Sequence, residues 1–331
     1  MPRLTLAAVE DLTFDALTRA GAAAHQARPV AQSIRRAEAD GIRAIGLGTL
    51  PMYLGHLRAG RIDGQARPVL AAPRAAVVTV DAASGFAHAA FDAGRDALIA
   101  AARACGTASL AITRSYSIGV LGHPMEDIAA HGLVALAGTN APPNTMAWGG
   151  RTKVFGTNPL AFAVPRAGAA PLVVDQSSTV VTRVALAAKA AEGAAIPDSW
   201  AFDAEGRPTT DARAALAGSM APFGGVKGAN MALLVEILAA VLSGAVLSKD
   251  VEPYGKESGA PPSVGQFFVA FDPDAHAPGF AERLEALAAA MTAGSAARLP
   301  GDQRLAARRR GAQDGVEVPE DLLRRIDGSA P

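Results

Sequence analysis

Residues 76–80 read Ala76-Val77-Val78-Thr79-Val80 and residues 109–113 read Ser109-Leu110-Ala111-Ile112-Thr113, with an alanine-rich stretch at 88–104 between them. Short runs rich in β-branched residues, parted by a helical stretch, mark α and β elements packed in layers. The same alternation extends outward. Further strands are expected at 134–138, 160–164, 172–175 and 267–271, with helices at 125–130, 179–191 and 229–242. Upstream, Leu6, Val9, Leu12, Ala16 and Leu17 recur at helical spacing, and Gly21 offers a stop. A second amphipathic run passes from Val30 through Ile34 to Ala37 and ends near Gly41. A third begins at Leu50-Pro51, where proline suits a first helical turn, and continues to about Gly60. Beyond Pro278 helix returns at 280–291, 304–310 and 320–326. The expected organisation is a helical segment over 1–74, an α/β body over 75–275, and C-terminal helices over 276–331 that pack with the first segment.

Composition narrows the class of partner. Of 331 residues, 50% are hydrophobic and 19% charged, and Lys plus Arg balance Asp plus Glu at 31 each. No basic surplus exists to gather nucleic-acid phosphates or an acidic membrane surface, so a small-molecule ligand is expected. No stretch approaches the ~20 apolar residues that span a bilayer. Residues 232–247 come nearest, but Glu236 interrupts them, and a buried helix is expected there. The first residues lack a signal-peptide pattern, and a cytoplasmic location is expected. The single cysteine, Cys105, excludes an intrachain disulfide and is expected to be a small buried hydrophobe. The histidines at 25, 56, 88, 123, 131 and 276 show no pair at a metal-ligand spacing, so no metal site is expected.

No Gly-x-Gly-x-x-Gly follows an early strand, and no phosphate-binding loop of the Gly-x4-Gly-Lys-Ser/Thr type occurs. Three other loops stand out: Gly138-Thr139-Asn140-Ala141-Pro142-Pro143, Gly156-Thr157-Asn158-Pro159 and Gly224-Gly225-Val226-Lys227-Gly228. By composition they read first as plain turns, and alternatively as backbone amides lining a ligand cleft. Lys227 stands between glycines at the start of an apolar helix, a setting that favours anions. Asp175 ends the apolar run 171–174, either to orient a catalytic partner or to cap the helix beyond Ser177 and Ser178.

These loops, in this order, resemble the malate/L-lactate dehydrogenase-like family. Asp40-Gly41, Leu50-Pro51-Met52-Tyr53, Gly119-Val120-Leu121-Gly122, Thr139-Asn140, Trp148-Gly149-Gly150, Gly156-Thr157-Asn158-Pro159, Pro208-Thr209-Thr210-Asp211, the Lys227 loop and Arg298-Leu299-Pro300-Gly301 all carry the likeness, over residues 5–328. The (R)-sulfolactate dehydrogenase branch is the nearest resemblance, through Ser115-Tyr116, Gly122-His123, Gly64-Gln65-Ala66-Arg67-Pro68, Asp175-Gln176-Ser177-Ser178 and Gly265-Gln266-Phe267-Phe268. The resemblance implies a non-Rossmann three-layer α/β/α body with a mixed sheet and a helical flank from both termini. It also implies a homodimer and hydride transfer between NADP or NAD and the C2 carbon of a 2-oxo or 2-imino acid. Carried over by position, Ser117, Ile118, Gly119, Val120, Leu121, Val226, Lys227, Arg298, Leu299, Pro300, Gly301, Asp302, Gln303 and Arg304 would meet the cofactor. Thr157 would face the substrate, and Asp175 would join the catalytic relay.

One stretch departs. The family's Ser-His-Gly-x-x-Arg motif, which supplies the proton and holds the substrate carboxylate, reads Ala44-Ile45-Gly46-Leu47-Gly48-Thr49 here. A positioned general acid is typically worth ~10²–10⁴ in rate. Ile45 and Ala44 cannot act so, and Thr49 replaces the arginine fork. Three explanations compete. Tyr53, Tyr116 or His123 replaces the acid, with Arg43 or Arg114 clamping the substrate; or the substrate is a cyclic imine, whose protonated form already carries the charge that hydride neutralises; or the fold binds NAD(P) without turnover.

Overall fold

The stretch that decides the fold forms a parallel strand pair. The computed structural model describes residues 1–294 and 296–328. In it, strands Val77–Asp81 and Thr107–Ser115 run parallel, joined by helix Ala87–Cys105. This pair belongs to a seven-stranded mixed sheet in the order Val69–Arg74, Val77–Asp81, Thr107–Ser115, Val264–Phe271, Val134–Thr139, Leu160–Arg166, Ala169–Gln176. Every other neighbouring pair in it is antiparallel. The Val264–Phe271 strand inserts at the centre, between two strands from the first half of the chain.

Side chains alternate across the sheet. Val78, Val80, Leu110, Ile112, Ala135, Ala137, Phe268 and Ala270 point to one face, where Phe91 and Leu98 of one helix and Met125 and Ile128 of helix Gly122–Ala129 cover them. On the other face lies helix Val226–Glu236, continued as the π-helical turn Ile237–Leu242. It comes close because glycines face it: a Cβ at Gly138 would stand 3.0 Å from Val235 Cγ1, and one at Gly265 would collide with the Ala239 carbonyl. The expected three-layer α/β/α body with a mixed sheet is therefore borne out.

The helical flank is borne out too. Strand Arg3–Leu4 pairs antiparallel with Val316–Glu317, and Val9, Leu17, Ile34 and Leu54 share one core with Val316, Val318, Leu322 and Ile326. A smaller unit of four short strands, Thr145–Met146, Lys153–Phe155, Ala201–Phe202 and Ser219–Met220, packs with helices Arg183–Glu192 and Ala212–Ala217 around Leu186, Ile196 and Met220. Strands of two or three residues carry no readable period, and none was expected there.

Four expectations need correction. The edge strand Val69–Arg74 was missed because all six residues are exposed and show no alternation. The helix expected from 179 begins at Arg183, since the Thr182 side chain caps it by accepting from Ala185 N at 3.2 Å, while Thr179 bridges to Pro222. Cys105 is exposed, because it lies in the last helical turn beside exposed Arg103 and Ala104, turned from the sheet. The apolar helix near 232–247 is buried on one side only: Leu233, Leu234 and Ile237 are each 44% exposed, Val241 60% and Leu242 61%. The sheet covers one side of a helix and leaves the other free.

Candidate active site

Strand Ala169–Gln176 delivers Asp175 to the N-terminus of helix Gly122–Ala129, where its Oδ2 accepts from Gly122 N at 2.7 Å. A carboxylate there meets the positive end of the helix. Burial pushes its carboxyl above the usual range, while the Gly122 amide, Arg304 and His123 pull it back in part. Arg304 donates to the Val173 carbonyl at 3.1 Å, beside the same strand end.

His123 follows Gly122 and is buried, with Nε2 3.1 Å from Asp40 Oδ2. A carboxylate only accepts, so Nε2 carries the proton. In the neutral ring Nδ1 is then a bare acceptor, and it is buried with no hydrogen-bond partner among the described residues. Asp40 also receives Arg308 through Nε and, at 3.1 Å, through Nη2. Burial alone would raise the Asp40 carboxyl, but these bonds from His123 and Arg308 outweigh it and hold the pKa at about 2. Arg308 also grips Glu126, and Arg36 joins Glu126 at 3.1 Å, Asp127 at 2.9 Å and the His123 carbonyl at 3.2 Å. The knot therefore ties the helix that carries His123 to helices Ala24–Ala39 and Asp302–Asp314. Burial lowers the His123 pKa despite Asp40, and burial followed by His123 lowers that of His88 to about 3.

The 42–49 loop is shaped by Glu38. Its Oε1 accepts from Leu47 N at 2.7 Å, and Gly46 packs so close that a Cβ there would strike the carboxyl group. Ala44 is exposed, while Ile45 and Thr49 are half-buried. The hydroxyl of buried Tyr53 lies beside Ser117 and Thr49; burial raises its pKa, and those two hydroxyls lower it in part.

Other expected residues are not brought to this group. Tyr116 commits its hydroxyl to His56 Nδ1 at 2.6 Å, deep among Tyr53, Phe86 and Tyr254, and burial drives its pKa far upward. His56 in turn meets the Lys256 carbonyl at 2.8 Å, next to fully buried Arg61. Arg114 is exposed and paired with Asp81 through Nε at 2.8 Å and through Nη2. Arg43 is exposed, and its charge acts on Glu38 and Glu317.

The expected cofactor segments converge in part. Ser117 Oγ accepts from Gly119 N at 3.3 Å in the turn that leads to Gly122, with Ile118, Val120 and Leu121 buried. Gly119 has φ 67°, and a Cβ there would stand 3.3 Å from His88 Nε2. The 298–304 turn lies against Val173: Leu299 N donates to Asp302 Oδ2 at 2.9 Å, the side-chain amide of Gln303 faces the Arg298 guanidinium, and Gly301 borders Val173. Pro300 is half-buried in it. Thr157 joins the same strand end, its carbonyl accepting from Ser178 N at 2.9 Å and from Ser177 Oγ at 3.2 Å. Val226 and Lys227 open their helix with no side-chain cap, and Lys227 has no partner among the described residues. Open helix-start amides beside a free ammonium fit the phosphates of a dinucleotide.

Sequence reasoning missed Asp40, Arg308, Glu126 and Glu38 as members of the site's frame. Asp40 stood in a quoted marker, but nothing in its spacing pointed to Arg308.

The family model for malate/L-lactate dehydrogenase matches residues 4–327. The chain is 43% identical over 324 residues to (2R)-3-sulfolactate dehydrogenase (NADP(+)) of Chromohalobacter salexigens, covering 97% of this chain and 96% of that one. It is 39% identical over 330 residues to Δ1-pyrroline-2-carboxylate reductase of Pseudomonas fluorescens, covering 98% of each. The solved Δ1-piperideine-2-carboxylate reductase of Pseudomonas syringae superposes with a TM-score of 0.94 at 36% identity over 100% of both chains. The sulfolactate dehydrogenase of Methanocaldococcus jannaschii gives 0.89 at 25% identity, covering 99% of this chain and 97% of that one. The likeness read from scattered loops thus holds along the whole chain, and the protein is a member of the malate/L-lactate dehydrogenase family, an NAD(P)-dependent oxidoreductase.

Proposed function

We propose that the protein interconverts a small 2-oxo acid and its 2-hydroxy acid, of the sulfolactate, malate or lactate kind, with His123 moving the proton. The observation that carries this reading is the Asp40–His123 pair beside Asp175: one ring nitrogen is fixed by a carboxylate and the other is bare. When bound, the reduced nicotinamide supplies a hydride to C2. His123, protonated on Nδ1, would give that proton to the developing alkoxide, and Asp40 would stabilise the imidazolium. Asp175 would hold the start of the Gly122 helix and, with Arg304, set the field around the reacting carbonyl. Thr157 and Thr49 would contact the substrate. The 117–121 turn, Val226-Lys227 and the 298–304 turn would hold the cofactor, with residues 75–275 as the body that carries most of it.

The test is His123→Gln, which can still donate to Asp40. Its kcat for sulfopyruvate, oxaloacetate or pyruvate should fall by ~10²–10⁴ while NAD(P)H still raises the melting temperature. An unchanged kcat would remove His123 from the reaction.

A second reading, reduction of a cyclic 2-imino acid, is favoured by apolar Ala44 and Ile45 at the family's proton-donor positions. It expects turnover of Δ1-pyrroline-2-carboxylate far above that of any 2-oxo acid, and little loss in His123→Gln.

We also infer a homodimer in the cytoplasm. The exposed row Leu233, Ile237, Val241 and Leu242 offers an apolar face of the kind that partners cover, and a chain with one cysteine suits a reducing compartment. Sedimentation of the purified protein as a monomer at micromolar concentration would refute the dimer.

A further inference from the structure

Asn158 is buried, and its φ of 33° places it in the left-handed region. A non-glycine residue stays there only where its surroundings hold it. Its Nδ2 donates to Glu236 Oε2 at 2.8 Å and to the Ala232 carbonyl at 3.0 Å. Ser248 completes the set, donating from N to Glu236 Oε1 at 2.7 Å and from Oγ to Glu236 Oε2 at 2.5 Å. Glu236 is buried and forms no ion pair among the described residues.

Both of its oxygens face N–H donors. A glutamine in its place would turn its NH₂ group against one of them, whichever way the amide lay. A buried carboxylate is costly, and well-packed apolar groups would serve stability at least as well. What the carboxylate provides is direction. The other asparagine loop is tied to the same chain segment: Asn140 Nδ2 donates to the Val246 carbonyl at 2.8 Å, and its Oδ1 accepts from Gly265 N at 2.8 Å. Residues 236–248, including the π-helical turn, thus latch both loops to the helix that begins with Val226 and Lys227.

We propose that Glu236 is a positioning residue for the acid substrate: by holding Asn158 in its left-handed turn, it aims the neighbouring Thr157 at that substrate. This rests on the reading that Thr157 meets the substrate. The test compares Glu236→Gln and Thr157→Val in the full-length enzyme, with NAD(P)H and whichever acid of the panel turns over best.

Each variant should raise the KM for the acid about tenfold, the loss of one charge-assisted hydrogen bond, while the KM for NAD(P)H stays within about twofold. If Glu236→Gln leaves the acid KM unchanged while Thr157→Val raises it, the proposal is overturned and the role of Thr157 stands. If neither variant moves that KM, both fall. Should Glu236→Gln fail to fold, Ser248→Ala decides: a raised acid KM with an unmoved NAD(P)H KM supports the proposal, and an unmoved acid KM overturns it.

Discussion

The loops at 42–49 and 156–159 are each anchored by a buried glutamate, and the two anchors differ. Glu38 offers one oxygen to a single amide, Leu47 N, and burial pushes its carboxyl up against only partial relief from that bond and Arg43. Glu236 receives three donors from two residues. The 156–159 loop keeps both its anchor and the Thr157 hydroxyl. The 42–49 loop keeps its anchor and its Gly46 packing, yet presents Ala44 and Ile45, which hold no proton. If the proposed site is right, frame and chemistry are separable there: the 42–49 backbone keeps its Glu38 anchor while Ala44 and Ile45 stand where the family resemblance implies a serine and a histidine.

The largest expected effect tests that separation directly. In the His123→Gln background, Ala44→Ser/Ile45→His installs the family's pair on the retained frame and should restore ~10²–10⁴ of the lost 2-oxo acid turnover, followed as NAD(P)H oxidation. No gain would mean that the frame has drifted along with the side chains. Next comes stability. Glu236→Ala strands several buried donors and should cost ~3–5 kcal/mol in urea unfolding, against ~1–3 kcal/mol for Glu38→Ala. Equal losses would erase the distinction between the two anchors.

A smaller effect lies in pH. The Glu38 carboxyl is raised above its ordinary 4.5, so the folded state keeps a proton that the unfolded chain releases. That contribution is complete below pH 4.5 and is lost as pH rises through the folded value. The stability deficit of Glu38→Gln should thus shrink as pH rises above 4.5. His88 has the opposite sign. Its pKa drops from 6.5 to about 3, so stability is lost as pH falls below 6.5, with a slope of at most ~1.4 kcal/mol per pH unit. His88→Leu should flatten that acid limb of a melting-temperature profile. Least of all, Arg114→Ala should leave the KM for the acid unchanged, because Arg114 is exposed and engaged with Asp81; a raised KM would bring it back to the substrate.

Much of the fold was legible where one face of an element is buried. Leu110 and Ile112 alternate with half-buried neighbours, and the strand at 109–113 could be read from that rhythm. Val69–Arg74 has no buried face and gave no signal. In the proposed site, Asp175, Thr157 and Lys227 stood out through their loops, and the 298–304 turn only through the family resemblance. Tyr116 was drawn into consideration by its hydroxyl, which the structure spends on His56.

The amino-acid order alone determined the layered α/β plan and the emptiness of positions 44 and 45, because periodicity and side-chain identity are local properties. Only the tertiary structure decided which polar groups meet. Arg308 reaches Asp40 across 268 residues, His123 reaches Asp40 across 83 and Asn158 reaches Glu236 across 78. The first two meetings are made by packing helices from the chain ends against one sheet, the third by laying helix Val226–Glu236 beside the 156–159 loop, and spacing along a chain carries no record of them.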